Sequence, residues 1–214
     1  DIDVYFTDIV YGGVSFAVVE DRKFKSPPKL LLPEADVWNG WAQNPEYDAA
    51  KLGDAEGAKL LCERQLAFLE EWAADWSQGA WMKPVLSQTL FANVATLPDT
   101  SKSDGVTTGL KVMPLGGYAQ GDKIVMDHDS NGWPQTPRNR ALRAMRKGLA
   151  FHIAGDQHLA TLIHHGIDDW DDACWSMCVP SVTNFYLRRW LPDVSKRHSA
   201  LGEGMPPYTG RYKD

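Results

Sequence analysis

Gly155-Asp156-Gln157-His158 follows a short apolar run, Leu149-Ala150-Phe151-His152-Ile153-Ala154. The run has the length and composition of a buried strand. Asp156 and His158 therefore stand where a strand gives way to a loop, and Gly155 is expected to supply the bend. A carboxylate and an imidazole two residues apart at a strand's C-terminal end can turn toward one point, and together they are donors of the kind a catalytic metal takes. Just upstream lies Asp127-His128-Asp129-Ser130-Asn131-Gly132-Trp133-Pro134, followed by Arg138 and Arg140. Asp129, or Asp127, offers a second source of oxygen ligands. Arg138 falls in the first turn of the helix expected next, where free N–H groups and the positive dipole end favour anions. A guanidinium there can grip a phosphate in bidentate fashion. The pattern points to metal-assisted phosphate chemistry, with part of such a site present in the chain.

Each of these residues also has a structural reading. Asp156 can cap a turn and His158 can be satisfied by hydrogen bonds, while Asp127 and Asp129 suit Asx-turns. His152, inside the strand, reads as a core histidine. Arg140, Arg143 and Arg146 read as a solvated face. His164 and His165 are neighbours on a candidate strand and must point to opposite faces, so at most one could share a site with His158. Asp168-Asp169-Trp170-Asp171-Asp172 is calcium-like in composition but lacks the EF-hand spacing and its closing Glu. It reads as a solvated acidic loop. Ser181 to Tyr186 could edge a pocket without any specific signature. No P-loop, nucleophile elbow or dinucleotide fingerprint is present.

The elements that would position these groups follow from pattern. Val4 to Asp21 reads as a hairpin around Tyr11-Gly12-Gly13. Lys23 to Glu46 holds four prolines and little periodicity, and reads as a long surface excursion. Leu60 to Trp76 is helical, with Cys62, Leu66, Leu69, Ala73 and Trp76 on one stripe. Pro84 to Phe91 is a strand, and Thr96 to Gln120 is polar, Gly-rich and loop-like. Thr136 is placed as an N-cap with Pro137 at the first helical position, and that helix ends near Gly148. Leu159 to His165 and Trp175 to Val179 are further strands. Strand, helix, helix and strand, with reactive residues at strand ends, define an α/β layered fold.

With 214 residues and 43% hydrophobic content, the chain can bury one sizeable core. No run of ~18 apolar residues is present to span a membrane. Asp1-Ile2-Asp3-Val4 does not resemble a signal peptide, and the chain opens on strand-like sequence without Met, as an excised piece would. A net charge of −6 gives no basic field for nucleic acid. Cys62, Cys174 and Cys178 are an odd set with no zinc-ribbon spacing, and Cys174 and Cys178 on one strand would be too far apart to bridge. The nine tryptophans suit core and interface packing.

At these residues the chain resembles the PhoD-like alkaline phosphatase group of the calcineurin-like metallophosphatase superfamily, over most of its length. Gly155-Asp156-Gln157-His158 matches that group's Gly-Asp-x-His motif. Asp129 through Arg138 resembles its Asp-x-Trp-Asp-Gly-Tyr-Pro-x-x-Arg segment, with Gly-Trp-Pro standing one residue early. Glu63 to Leu69 and Lys83 to Thr89 are similar to a helix and the strand after it, and Glu20-Asp21-Arg22 is a loose counterpart of a strand ending in Asp-x-Arg.

The resemblance implies a four-layer αββα sandwich with a two-metal centre between strand ends, iron and calcium or else zinc. Asp129, Asp156 and His158 would be ligands, Asp127 the alternate for Asp129, and Arg138 and His158 would act on a phosphate ester. It also implies a periplasmic or secreted phosphomonoesterase or phosphodiesterase. The group's upstream motifs, Gly-Asp-x-x-Asp and Gly-Asn-His-Asp/Glu among them, are absent from residues 1–214. The expectation is thus the C-terminal part of a catalytic domain, weak in metal binding and nearly inactive alone. Two rivals stand beside this reading: a carbohydrate- or calcium-binding module built on exposed Trp rings, and a degenerate metallophosphatase scaffold.

Overall fold

The computed structural model describes residues 4–93, 95–98, 122–169, 172–183, 188 and 190. The expected hairpin forms from β1 (Thr7–Tyr11) and β2 (Val14–Val18), turned by Gly12 and Gly13 at φ of 58° and 79°. After α1 (Pro28–Leu31) come a two-stranded ribbon, β3 (Val37–Trp38) and β4 (Trp41–Ala42), and the short α2 (Ala49–Leu52). Then follow α3 (Glu63–Ala74), β5 (Pro84–Thr89), β6 (Thr96–Pro98), β7 (Asp122–Ile124) and α4 (Gln135–Lys147). The last elements are β8 (Phe151–Gly155), β9 (Thr161–His164) and β10 (Trp175–Cys178). The fold is mixed α/β, as the sequence pattern requires. Of the expected Thr96 to Gln120 loop, Thr96–Pro98 is strand β6 instead and residues 99–120 lie outside the described residues, as do 184–186 of the Ser181 to Tyr186 segment.

Six strands form one sheet in the order β1-β2-β5-β8-β10-β9. β2, β5, β8 and β10 are mutually parallel, and the two outer strands run antiparallel. Parallel pairing brings the C-terminal ends of β2, β5, β8 and β10 to one edge, where ligands gather in such sheets. An extra residue in β5 between Leu86 and Thr89 re-aims its last residues at that edge.

Both long helices cover one face. Leu66, Leu69, Trp72 and Ala73 of α3 and Ala141, Leu142, Ala144 and Met145 of α4 share a core with Ala17, Val85 and Ala150. The opposite face carries Phe16, Val18, Leu86 and Ile153, each half-buried, and the exposed Ile9, Leu162, Trp175 and Met177. That face is apolar and open among the described residues.

Three local expectations are corrected. α3 ends at Ala74, so Trp76 lies beyond the helix and is 41% exposed. Trp72, one turn earlier, takes its place and donates its indole N–H to Ser15 Oγ at 2.9 Å. Lys83 is drawn into the space at the helix end, buried between the rings of Trp72 and Trp76. It donates to the carbonyls of Trp72, Ala73 and Asp75, which the last turn of α3 leaves without helical partners.

α4 begins two residues before the expected start. Thr136 is inside it, and the Asp54 carboxylate accepts from the Thr136 N–H and hydroxyl at 3.1 and 2.6 Å. The helix does end at Gly148, but the left-handed residue is Leu149 (φ 49°). Gly148 is glycine because a Cβ there would lie 3.0 Å from Ala73 of α3.

The acidic loop is not merely solvated. Asp168 and Asp172 pair with Arg143 and Arg146 of α4 at 2.7–3.0 Å. All three cysteines are free thiols. Leu69 is fully buried at the centre of the helical layer. Leu69→Ala should cost about 2–5 kcal/mol in denaturant unfolding, and a loss under ~1 kcal/mol would show that α3 does not pack as described.

Candidate functional site

The ends of β2, β5 and β8 bring together Asp21 after β2, Thr89 closing β5, and Asp156 to His158 after β8. The Asp127–Gly132 loop folds over them. Gln65 of α3, fully buried, fixes the chain after β2 by bonding both the N–H and the carbonyl of Glu20 (2.9 and 2.7 Å). That holds Asp21, 1% exposed, against the end of β5. Its carboxylate accepts from the N–H groups of Gln88 (3.2 Å) and Thr89 (2.9 Å) and from the Asn131 amide. Burial pushes the Asp21 carboxyl up from its ordinary value, against the pull of those three donors.

Thr89 is the node. Its hydroxyl donates to Asp156 Oδ2 at 3.1 Å, its N–H to Asp21, and its carbonyl accepts from Asn131 at 3.1 Å and from Ser87 Oγ at 2.8 Å. The 127–132 loop and the 155–158 turn are thereby tied to one residue. A second tie runs from the Asn93 amide to Gln157 Oε1 at 3.1 Å.

The Gly155-Asp156-Gln157-His158 turn bends differently from expectation. Gly155 is part of β8 and its backbone is not left-handed; Asp156 (φ 71°) and His158 (φ 53°) are. Left-handed backbone is costly for residues other than glycine, and such strain is held where a structure needs a side chain in a fixed place. Asp156 is exposed and His158 half-buried, beside the buried Gln157. His152 is a core histidine, as expected, fully buried and stacked on Phe91 at 4.7 Å.

Asp127 and Asp129 take different roles. Asp127 is 2% exposed, accepts the Asp129 N–H at 2.9 Å, and pairs with Arg188 at 2.7 Å. Arg188 in turn lies over the Trp41 ring at 4.9 Å. The half-buried Asp129 offers its carbonyl to Arg22 (2.7 Å) and Lys25 (2.8 Å), and Lys25 also bonds the Ser130 carbonyl. Burial, with the Arg22 charge, pulls Lys25 down to about 7, opposed by Asp127, Asp129 and Asp21. Arg138 is buried in the first turn of α4. Its guanidinium donates to the Gly132 carbonyl at 3.2 Å and to Asn139 Oδ1 at 3.0–3.1 Å, clasping the loop that carries Asn131.

The excursion after β2 is built into this region. Gly40, at the tip of the β3–β4 ribbon, accepts from the His128 N–H at 2.8 Å and lies 3.0 Å from His128 Nδ1. A Cβ on Gly40 would stand 2.3 Å from Asp127 Oδ1, and its φ is +83°. Gly40→Ala should therefore cost about 1–3 kcal/mol. A variant as stable as the parent in urea unfolding would show that the ribbon does not hold the Asp127 loop.

Asp21, Thr89, Asn131, Lys25 and Arg188 are the residues that sequence reading did not place here. Asp21 and Thr89 had a signal, since each follows or closes a strand now seen to be parallel. The other three are joined to the site by long-range contacts alone. As to metal ligands, Asp156 and His158 have suitable donor chemistry. Among the described residues, however, no group of three or more His, Cys, Asp or Glu side chains is placed to hold a metal ion. Those residues by themselves make at most a partial donor set. None of the described helices is long and apolar enough to cross a membrane.

No family model matches the chain, and no curated protein matches it. A solved structure of PhoD is similar at 16% sequence identity and a TM-score of 0.49, over 84% of this chain and 29% of that one. The chain thus spans less than a third of the length of that structure.

Proposed function

We propose that this chain is the C-terminal part of a PhoD-like catalytic domain and contributes to a phosphoric ester hydrolase site at the C-terminal edge of its parallel strands. The observation that carries the reading is the Asp156–His158 turn. Two potential ligands are held in left-handed backbone at the end of a central strand, one of them exposed, above a buried network that fixes Asp156 through Thr89. Asp156, His158 and Asp129 are the proposed metal-facing residues, for iron and calcium or for zinc. Ligands beyond the described residues would complete such a centre, whose metals supply charge to bind and polarise a phosphate ester. This chain's own part is to orient. Thr89 holds the Asp156 carboxylate, and Asp127 with Arg188 holds the loop bearing Asp129. Arg138, by clasping Gly132, sets that loop and is proposed to face the phosphate when substrate is bound. The apolar open face of the sheet fits the second sheet of an αββα sandwich. A periplasmic or secreted location belongs to the same proposal.

The test is hydrolysis of an aryl phosphate and an aryl phosphodiester, with and without iron, calcium or zinc, by the 214-residue chain and by the longer gene product. Turnover near background for the chain and metal-dependent turnover for the longer protein is the expected pair. No turnover by the longer protein with any of these metals would sink the hydrolase reading.

A further inference from the structure

Among the described residues three arginines reach the Asp127–Gly132 loop, and one is held differently from the others. Arg188 is paired with the Asp127 carboxylate and lies over the Trp41 ring. Arg138 is buried with each guanidinium nitrogen engaged, Nη1 on the Gly132 carbonyl and Nε and Nη2 on Asn139 Oδ1. It sets the loop, and it has to release partners to take a ligand. Arg22 is exposed and makes one side-chain hydrogen bond, from Nη1 to the Asp129 carbonyl at 2.7 Å. Among the described residues no carboxylate pairs with its guanidinium.

The loop does not depend on that bond. The same carbonyl accepts from Lys25 Nζ at 2.8 Å, and Lys25 also bonds the Ser130 carbonyl. The bond therefore fixes Arg22 more than it fixes Asp129. The backbone of Arg22 is fixed as well. Glu20 Oε1 accepts the N–H groups of Arg22 (2.8 Å) and Lys23 (3.0 Å), and Gln65 holds both backbone groups of Glu20. A long exposed side chain held at both ends gives up rotamer freedom that one carbonyl bond hardly returns. Such ordering is what a preorganised contact needs.

Its place is the edge already described. Asp21, the residue before it, accepts the Thr89 N–H, Thr89 holds Asp156, and the tip of Arg22 rests on Asp129. The other carboxylates nearby are occupied: Glu20 by backbone N–H groups, Asp127 by Arg188, and Asp21 by three donors. Asp129 and Asp156 are the two proposed to face metal. Arg22 and Lys25 thus carry positive charge that side chains leave unmatched once those two are taken.

We infer that Arg22 is the guanidinium that receives substrate at this edge, and that with Lys25 it selects a phosphomonoester dianion over a phosphodiester monoanion. Its Nε–H and Nη2–H edge is free to take two phosphate oxygens as a fork. Coulomb attraction scales with ligand charge, and near neutral pH a monoester carries close to twice the charge of a diester. The ligand's chemistry rests on the hydrolase reading, while the choice of residue rests on geometry.

NMR titration of the 214-residue chain tests it. The probes are phenyl phosphate and methyl phenyl phosphate at about pH 7, with calcium present to offset the Asp129 and Asp156 carboxylates. Shifts of the Asp129 and Ser130 amides should give phenyl phosphate a Kd at least about threefold below that of the diester. Arg22→Ala should weaken phenyl phosphate about tenfold and remove the preference, with the urea midpoint unchanged. Arg22→Lys, which keeps the charge without the fork, should fall between. Arg140→Ala, at an exposed arginine paired with Glu63, should bind as the parent does. Equal binding by Arg22→Ala, or no saturation of the parent by about 50 mM phenyl phosphate, would overturn the inference. Should the variants fold poorly, the parent's own shifts decide. They must centre on Arg22 and Asp129, and shifts centred on Arg138 and Asn139 would overturn it. Turnover by the longer protein separates this inference from the reading it rests on. Arg22-dependent binding without turnover there sinks the hydrolase and leaves the anion site standing. Monoester turnover undiminished in Arg22→Ala sinks the role of Arg22 and leaves the hydrolase standing.

Discussion

Asp156→Ala and His158→Ala, made in the longer protein that the proposed function calls for, are expected to lower kcat for an aryl phosphate by about two orders of magnitude or more. The same two positions should behave in the opposite sense for stability. Both residues occupy left-handed backbone, φ 71° and 53°, which costs an L-residue roughly 1–2 kcal/mol. Alanine keeps that cost and loses the side chain; glycine removes most of it. Asp156→Gly and His158→Gly should therefore be as inactive as the alanine variants, yet more stable than them by about 1 kcal/mol in denaturant unfolding. Full activity in His158→Ala would remove that residue from the site. Glycine variants no more stable than the alanine ones would mean that the turn is not strained, and the observation that carries the proposed function would be lost with it.

How much of this could be read beforehand depends on the range of the interactions. β8 and the helix before it were legible because apolar periodicity is local. The end of α3 was not, since Trp72 and Trp76 both suit a helical stripe, and Asp75 decides the matter. Asp75 is extended at the helix end, and its carboxylate accepts the Ser77 N–H at 2.8 Å, closing the turn that carries Trp76 outward. In the same way Gly155 was the natural choice for the bend, but the sheet keeps it in β8 and passes the bend to Asp156. Asp127 and Asp129 were interchangeable in sequence. They differ in the structure because Arg188, 61 residues on, reaches back to Asp127. Long-range partners of this kind leave no periodic trace.

The tryptophans bear on the rival carbohydrate-platform reading. Trp41, Trp72 and Trp133 are buried, and among the described residues the exposed rings of Trp38, Trp76, Trp81 and Trp175 are spread over the β3–β4 ribbon, the segment between α3 and β5, and β10. Trp81 stands over the β1–β2 turn at Gly13, while Trp175 is on β10, with β5 and β8 between it and β2, and stacks on His164 at 4.4 Å. Among the described residues such scatter does not line up a sugar-binding row, which needs rings presented along one face. The buried polar network at the strand ends is the more organised feature of the described residues, and it points toward the Asp156 turn.

The other large effect expected is on stability in acid. Burial pushes His152 down to about 3, aided by His165, and pushes His165 down to about 4, aided by Arg138 and His164 against Asp172. In the unfolded chain both titrate near 6.5. Between those values the unfolded state binds more protons than the folded one, so stability is fully present above about pH 6.5 and is lost as pH falls toward the folded values. By about pH 4.5 the two histidines together should remove roughly 3–5 kcal/mol, a large share of what a domain of this size holds. Asp21 acts the other way. Its carboxyl is raised, so the folded state takes up that proton first and part of the loss is offset. Glu63, held low by Arg140, and Asp168, held low by Arg143 and Arg146, add their own losses only at lower pH, as it falls through their depressed values. Urea unfolding at pH 7 and about pH 4.5 measures the difference directly. His165→Gln should lose about half as much between the two as the parent does, because one of the two titrations is gone. A parent protein equally stable at both values would mean that the two buried histidines take up protons without cost in the folded state.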